Sequence, residues 1–381
     1  MTDELAITGD YTLDAGIDQW DEWIEAIPEL PAVFLIHPHD AGAATRPYLA
    51  RTTVLRRRLR RLLGASGAST HRLSLRTIAA RVEYQLTASR LEASLVSYDW
   101  ARRYFPDDYE RIIRLRPAPF VKVLLGNRFP RTSVTTRLSG GSAFQFGPFR
   151  TRTQAESFEQ ETLNLFQVRR CQEDLAPAED HPGCVYGEMG RCLRPCQLVV
   201  GEAEYRSEVA RLVEFLSSGG ESMLHTLAAE RDRSSAELRF EEARRLHERY
   251  QRIEQTLKLR DELATGVERL CGVAVLPAVA AGAVALRFLL RGVWLPEQLF
   301  CTQPHGGAMV PMDRRLRELV APLAAPRVGV RERQEHVALL ARWFYSSWRD
   351  GEWISFADLD AIPYRRLVRA ISTVAAARSG A

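Results

Sequence analysis

The chain is nearly without lysine: among 52 basic residues only Lys122 and Lys258 are not arginine. Codon usage produces such a skew as readily as selection for bidentate contacts, so it excludes no function by itself. Long apolar runs are also missing. No stretch approaches the roughly 18 consecutive apolar residues of a membrane helix, and the acidic opening from Met1 to Asp21 lacks the basic start of a signal peptide. A cytoplasmic protein that makes no use of a membrane is the expectation. Cysteine is scarce, six residues in 381. In a reducing compartment a tight group of them reads as a metal site before it reads as disulfides. Internal repeats and low-complexity tracts are absent.

What is present is an ordinary globular composition, 46% hydrophobic and 26% charged. A length of 381 residues exceeds one typical domain, so two to four modules are expected. The net charge of +4 is mild but unevenly spread. Arginines crowd the interval from Arg46 to Arg170, with Arg56, Arg57, Arg58, Arg60 and Arg61 inside six residues. With Arg51 beside them, such a patch suits a phosphate backbone.

Along the chain, AVFLI at 32–36 is a short run of β-formers, followed by a turn-forming stretch at 37–45 and a second strand at 47–50. This predicts a hairpin. From Thr52 the pattern turns helical, with Val54, Leu55, Leu59, Leu62 and Leu63 on one stripe between arginines and a stop at Gly64. Residues 79–86 alternate as a strand, and 89–104 read as a helix stopped by Pro106. The order β-β-α-β-α describes one small α/β domain. Residues 117–150 are rich in strands and turns, and a helix is expected over 153–165.

Two long helical segments follow, at 202–218 and 220–265. In the second, Leu224, Leu227, Ala236, Phe240, Ala243, Leu246, Tyr250, Ile253 and Leu257 recur mostly three or four apart, which fits an antiparallel helical hairpin. Beyond Cys271 the texture is β again as far as Trp294, and a helical tail includes 336–348 and 364–376. The whole predicts an α+β multidomain chain.

The cysteines make the most specific local signal. Cys184, Cys192 and Cys196 stand in CVYGEMGRCLRPC, with Cys171 thirteen residues upstream of the first. Four soft thiolates this close can bind an iron-sulfur cluster or a structural zinc, and spacing alone does not choose between them. Cys271 and Cys301 stand apart and read as buried apolar cysteines.

The wording of CVYGEMGRCLRPC, with FPRTSVTTRL and FQFGPF before it, resembles the cysteine segment of the UvrC family and of its shorter Cho branch. The similarity runs over about residues 27–280. It implies a four-iron four-sulfur cluster on Cys171, Cys184, Cys192 and Cys196. The stretch AELRFEEARRLHERYQRIEQ resembles the UVR motif by which that family engages the UvrB helicase subunit, and implies partner contacts by Phe240, Glu241, Ala243 and Leu246. An intramolecular coiled coil is the alternative reading of the same periodicity.

The N-terminal part is similar to the GIY-YIG nuclease fold, in which two tyrosines, an arginine and a metal-binding glutamate make the site. Here Phe34 stands where the first tyrosine is expected, and Tyr48 is kept while Ala50 replaces the glycine of the second signature. Arg58, ten residues on from Tyr48, matches the catalytic arginine, and Arg51 stands where a lysine is usual. Ser97 takes the place of the glutamate. At about 100° per residue Asp99 and Glu92 point elsewhere on that helix, and a serine hydroxyl is a weak magnesium ligand. Magnesium or manganese is therefore not expected at this site, and catalysis is expected to be lost or weak. Residues 272–295 resemble the opening of the domain that follows the UVR motif. Asp350, Asp358 and Asp360 do not suggest a two-metal site, so the family's second nuclease is expected to be missing.

The resemblance implies a polar lead (1–26), a degenerate GIY-YIG-like domain (27–110) and a strand-rich region with the cysteine cluster (111–200). A UVR-like helical hairpin (201–266) and a truncated C-terminal α/β segment with its helical tail (267–381) follow. The implied function is a nucleotide-excision-repair protein that binds DNA and a UvrB-like subunit without efficient cleavage. Two alternatives stay open: a Cho-like endonuclease making one metal-dependent incision near a lesion, and a redox-responsive iron-sulfur module that binds DNA.

Overall fold

The computed structural model describes residues 8–12, 19–39, 46–64, 75–141, 143–302 and 310–379. Most of the turn expected at 37–45 lies outside the described residues. The N-terminal elements are β1 (Thr8–Thr12), α1 (Gln19–Ala26), β2 (Ala32–Pro38), β3 (Tyr48–Thr52), α2 (Leu55–Leu63), β4 (Ala79–Leu86), α3 (Arg90–Tyr104) and α4 (Tyr109–Ile113). The strands make an antiparallel sheet in the order β1-β4-β2-β3. Successive side chains of β2 go to opposite faces. Ala32, Phe34 and Ile36 meet Leu55, Leu59, Leu62 and Leu63 of α2 in one core. Val33 and Leu35 are buried on the other face, where α3 packs.

Two stretches of the polar lead, residues 8–12 and 19–26, form β1 and α1. Trp20, Ile24 and Ile27, spaced four and three apart, enter the α2 core, and Tyr11 stacks on Trp23 with ring centroids 4.5 Å apart. Helix α3 starts on a reciprocal cap: the Glu92 N–H donates to Ser89 Oγ at 3.0 Å, and the Ala88 N–H donates to the Glu92 carboxylate at 2.8 Å.

The central elements are β5 (Phe120–Val123), β6 (Thr132–Thr135), β7 (Phe144–Gly147), α5 (Arg152–Leu163), α6 (Val185–Glu188), α7 (Glu202–Ser217), α8 (Glu221–Ala236), α9 (Phe240–Lys258) and β8 (Thr265–Gly266). Their sheet has the order β6-β5-β7-β8. Aromatic residues dominate the core, with Phe146 and Phe158 stacked at 5.3 Å beside Phe149, Tyr205 and Phe215. The segment expected as helical over 220–265 is two helices, α8 and α9, packed side by side. The break falls at 237–239, where Leu238 takes a left-handed φ of 59°.

The C-terminal elements are β9 (Cys271–Pro277), β10 (Ala283–Leu290), β11 (Val293–Trp294), β12 (Gln298–Cys301), α10 (Met312–Val320), α11 (Val330–Phe344), β13 (Glu352–Phe356) and α12 (Tyr364–Ser379). The expected helical tail therefore contains a strand. β13 pairs with β9, giving the order β11-β10-β9-β13 with β12 beside β10. This sheet is covered on both sides. Ala274 and Leu276 face Leu340 and Trp343 of α11, while Val273 and Val275 face Leu367 and Ile371 of α12. That double burial is why CGVAVLP is apolar throughout.

The α11 core also takes Leu91, Leu95 and Tyr98 from α3. Helix α3 is thus packed on the first sheet and on the C-terminal segment together. Among the described residues no helix is long and apolar enough to cross a membrane. The fold is mixed α and β with several antiparallel sheets.

Candidate nucleic-acid interface and cysteine cluster

Strand β3 and helix α2 bring Tyr48 and Arg58 together: Arg58 Nη2 donates to the Tyr48 hydroxyl at 2.8 Å. Phe34 lies behind them, fully buried, its ring 6.2 Å from that of Tyr48. Its register partner on β3 is Ala50. Ser97 stands on α3, on the opposite face of the sheet from α2, and neither Tyr48 nor Arg58 lines its pocket; it donates its hydroxyl to the Ala93 carbonyl at 2.6 Å, so its proton is directed into its own helix. Ser97 lines a pocket of about 310 Å³ with Arg51, Ser94, Arg114 and Arg342, and no carboxylate lines it.

The two neighbouring acids are engaged elsewhere. Glu92 is only 3% exposed and is held by the Ala88 N–H. Burial, with repulsion from Glu297, pushes its carboxyl up to about 7. Asp99 is exposed as a residue, and desolvation of its carboxyl raises it despite the nearby charges of Arg287 and Arg102. Neither lines the Ser97 pocket.

Beside this pocket opens a cleft of about 1120 Å³ lined by Arg51, Arg57, Arg58, Arg60, Arg61, Arg90 and Arg342, with Trp348 and Asp350. Arg51 is exposed as a residue, while desolvation of its guanidinium first, and then the nearby Arg342 charge, hold it below its ordinary range. Arg51 donates to Ser94 Oγ at 3.1 Å. Arg60 reaches Glu25 at 2.5 Å on the surface. Arg56 differs from its neighbours: its Nε donates to the Ile27 carbonyl at 2.7 Å and its Nη1 meets Glu29 at 3.2 Å, so it braces the loop before β2 and does not line the cleft.

The sequence reading missed Arg90, Arg342 and Trp348. Arg342 and Trp348 lie far along the chain from the arginine run, and no linear pattern joins them to it. Asp350 links the two parts: it accepts the Arg90 N–H at 2.6 Å and the Trp343 indole N–H at 3.0 Å.

The cysteine segment wraps between α5 and α7 around one buried cation. Arg169 is 2% exposed, and its Nε donates to the Phe129 carbonyl at 3.0 Å. Its Nη1 donates to the Glu173 carbonyl at 2.8 Å and approaches Cys171 Sγ at 3.3 Å. The Arg194 N–H donates to Cys192 Sγ at 3.4 Å. Cys192 and Cys196 are buried, Cys171 is half-buried and Cys184 is exposed. Burial raises the Cys192 thiol to about 11, and the charges of Cys171, Cys184 and Cys196 add to the rise.

Four thiols, two of them with an N–H donor aimed at sulfur, are the donor chemistry of an iron-sulfur cluster or a zinc. Among the described residues no group of three or more His, Cys, Asp or Glu side chains is placed to hold a metal ion as the chain stands. Cys271 is buried and Cys301 half-buried, both apart from this group.

In the helical hairpin, Leu246, Tyr250 and Leu257 pack against the central core, and the Arg231 guanidinium lies 5.8 Å from the Tyr250 ring. Phe240 is 64% exposed at the first turn of α9, beside Leu238 at 72%. Glu241 is exposed and Ala243 half-buried. The ridge expected from Phe240, Ala243 and Leu246 is therefore divided, with Leu246 turned inward and Phe240 left in solvent.

Residues 118–215 match the family model described as the UvrC/Cho excinuclease, middle domain. The chain is 24% identical over 238 residues to UvrABC system protein C of Lachnospira eligens, 62% of this chain and 38% of that protein. It is 26% identical over 276 residues to the protein of the same name from Moorella thermoacetica, 71% and 43% of the two chains. With that from Escherichia fergusonii it shares 26% over 295 residues, 76% and 47%. The chain thus spans less than half the length of these relatives. No solved structure matches it.

Proposed function

The chain is a relative of the UvrC family, and from that premise we propose that it serves nucleotide excision repair by holding DNA without cutting it efficiently. The observation that carries this reading is the pocket at Ser97, where Arg51, Arg114 and Arg342 stand among apolar side chains and no carboxylate is present. Hydrolysis at a phosphodiester needs a base, a cation on the scissile phosphate and a metal at the leaving oxygen. Tyr48 and Arg58 can supply the first two. The pocket offers only the Ser94 and Ser97 hydroxyls, weak ligands for magnesium, and no carboxylate. We read the first sheet with α2 and α3 as a degenerate GIY-YIG domain, and the cleft beside it as a seat for phosphates.

Two further parts belong to the same reading. Cys171, Cys184, Cys192 and Cys196 hold a four-iron four-sulfur cluster or a zinc, which would brace the loop between α5 and α7. Phe240 and Glu241 at the exposed turn of α9 meet a UvrB-type subunit, since an apolar ring left in water beside a charged face suits a partner helix.

An incision assay on damaged duplex, with magnesium or manganese and with UvrA and UvrB added, tests the proposal. No nick is expected, while the chain alone retards the duplex at low salt. The contact between Tyr48 and Arg58 favours one other reading, a Cho-like single incision. Nicking that disappears in Arg58→Ala would establish that reading instead.

A further inference from the structure

The large cleft is made by two parts of the chain. Its floor and one side are the arginines of β3 and α2, and the other side carries Arg342 and Trp348 from the C-terminal segment. Arg57, Arg58, Arg61, Arg90 and Arg342 have no carboxylate partner among the described residues. Asp350, the one acid in the wall, is already bonded to Arg90 N–H and Trp343. Arg58 Nε is buried with no acceptor. Arg58 and Arg342 are held by neutral acceptors only, the Tyr48 hydroxyl and the Ile113 carbonyl, so the cleft carries more positive charge than its single acid offsets, and planar forks of this kind match phosphate oxygens.

Trp348 adds a second chemistry. It is half-buried, and the Arg90 guanidinium lies 5.6 Å from its ring centroid. The guanidinium covers one face of the indole, and an aromatic ring backed by an arginine is the kind of surface on which nucleobases stack. A base can reach such a platform only when it is unpaired and out of its own stack. A duplex presents phosphates to the arginines and no base face to the tryptophan.

We propose that this composite cleft binds single-stranded DNA, with the backbone phosphates on Arg51, Arg57, Arg58 and Arg342 and one unpaired base on Trp348. The proposal rests on the DNA-binding reading above and names the form of DNA that the site selects. In a repair setting the occupant would be the strand locally opened beside a lesion.

The test is fluorescence anisotropy on the full chain with a labelled oligothymidine and, separately, a blunt duplex. Trp348→Ala should weaken single-strand binding roughly tenfold and leave duplex binding within about twofold. Trp348→Phe should keep most of the affinity, which separates stacking from a fold defect. Arg342→Gln should lower the salt dependence of single-strand binding by about one counterion. Unchanged single-strand affinity in a folded Trp348→Ala protein overturns the inference while leaving duplex binding intact. A native chain that binds neither form overturns the DNA-binding reading itself.

Discussion

Tyr98 of α3 donates its hydroxyl to the buried carboxylate of Glu335 on α11 at 2.7 Å, joining residues 237 positions apart in the sequence. The same carboxylate accepts the Tyr109 hydroxyl and, at 3.2 Å, Arg331 Nε. One acid therefore satisfies donors from α3, α4 and its own helix. Glu335→Ala leaves two buried hydroxyls without their acceptor and should cost about 3–5 kcal/mol in denaturant unfolding. Glu335→Gln, which keeps an acceptor, should cost clearly less. Equal losses for the two would mean that packing volume, and not the hydrogen bonds, sets the value of this site.

Stability should depend on pH through two groups with opposite signs. Glu92 is raised in the fold to about 7, so the native state binds its proton more tightly than the unfolded chain. Its contribution is greatest below the unfolded value near 4.5 and declines as pH rises towards 7. His336 is lowered to about 4 by burial, and its Nδ1 accepts the Trp294 N–H at 3.0 Å, a role only the unprotonated nitrogen can fill. Its contribution is present above about 6.5 and is lost as pH falls towards 4. Between these limits the two slopes oppose each other. Glu92→Gln removes the declining one, so the variant should gain stability with pH between 4.5 and 6.5 more steeply than the native chain. Parallel melting profiles across that range would contradict the assignment.

The arginines of α2 divide into two kinds. Arg57 and Arg61 line the cleft, and neither has a carboxylate partner among the described residues. Arg56 is bonded to the Ile27 carbonyl and Glu29. The double variant Arg57→Ala with Arg61→Ala should reduce the slope of log K against log salt for duplex binding by about two. Arg56→Ala should lower the melting temperature and leave that slope unchanged.

Cys184 is exposed and Cys192 buried. If the four thiols hold a cluster or a zinc, serine at either position should lower the bound iron or zinc measured by elemental analysis. Only Cys192→Ser should also destabilise the metal-free chain, because its sulfur is packed within the fold. Chelation of the native protein should lower its melting temperature, since binding free energy of a structural metal is folding free energy. Full metal content in both serine variants would remove the assignment.

Local patterns were easiest to read where one element answers to one core. AARVEYQL marks β4 to the residue, and Leu55, Leu59, Leu62 and Leu63 mark α2, because each has one buried side. Strand β13 was missed because EWISF is short and lies between helices, and its state is decided by pairing with β9, some eighty residues earlier. The break in the hairpin was missed as well. Its left-handed residue is Leu238, and neither glycine nor proline marks the turn. Of the site, Tyr48, Arg58 and Ser97 were singled out only through the resemblance to the GIY-YIG signatures, not by any pattern of their own. Arg342 and Trp348 were not, since only the packing of α11 on α3 brings them to the cleft.

Because α3 turns Leu91, Leu95 and Tyr98 towards α11 while resting its other side on β2 and β3, it has no side to give up. Peeling away the C-terminal segment would leave a greasy stripe in water, and releasing the first sheet would do the same on the opposite side. The start and the end of the chain should therefore melt in a single cooperative event. A protease acting on the native protein should find no seam along this helix.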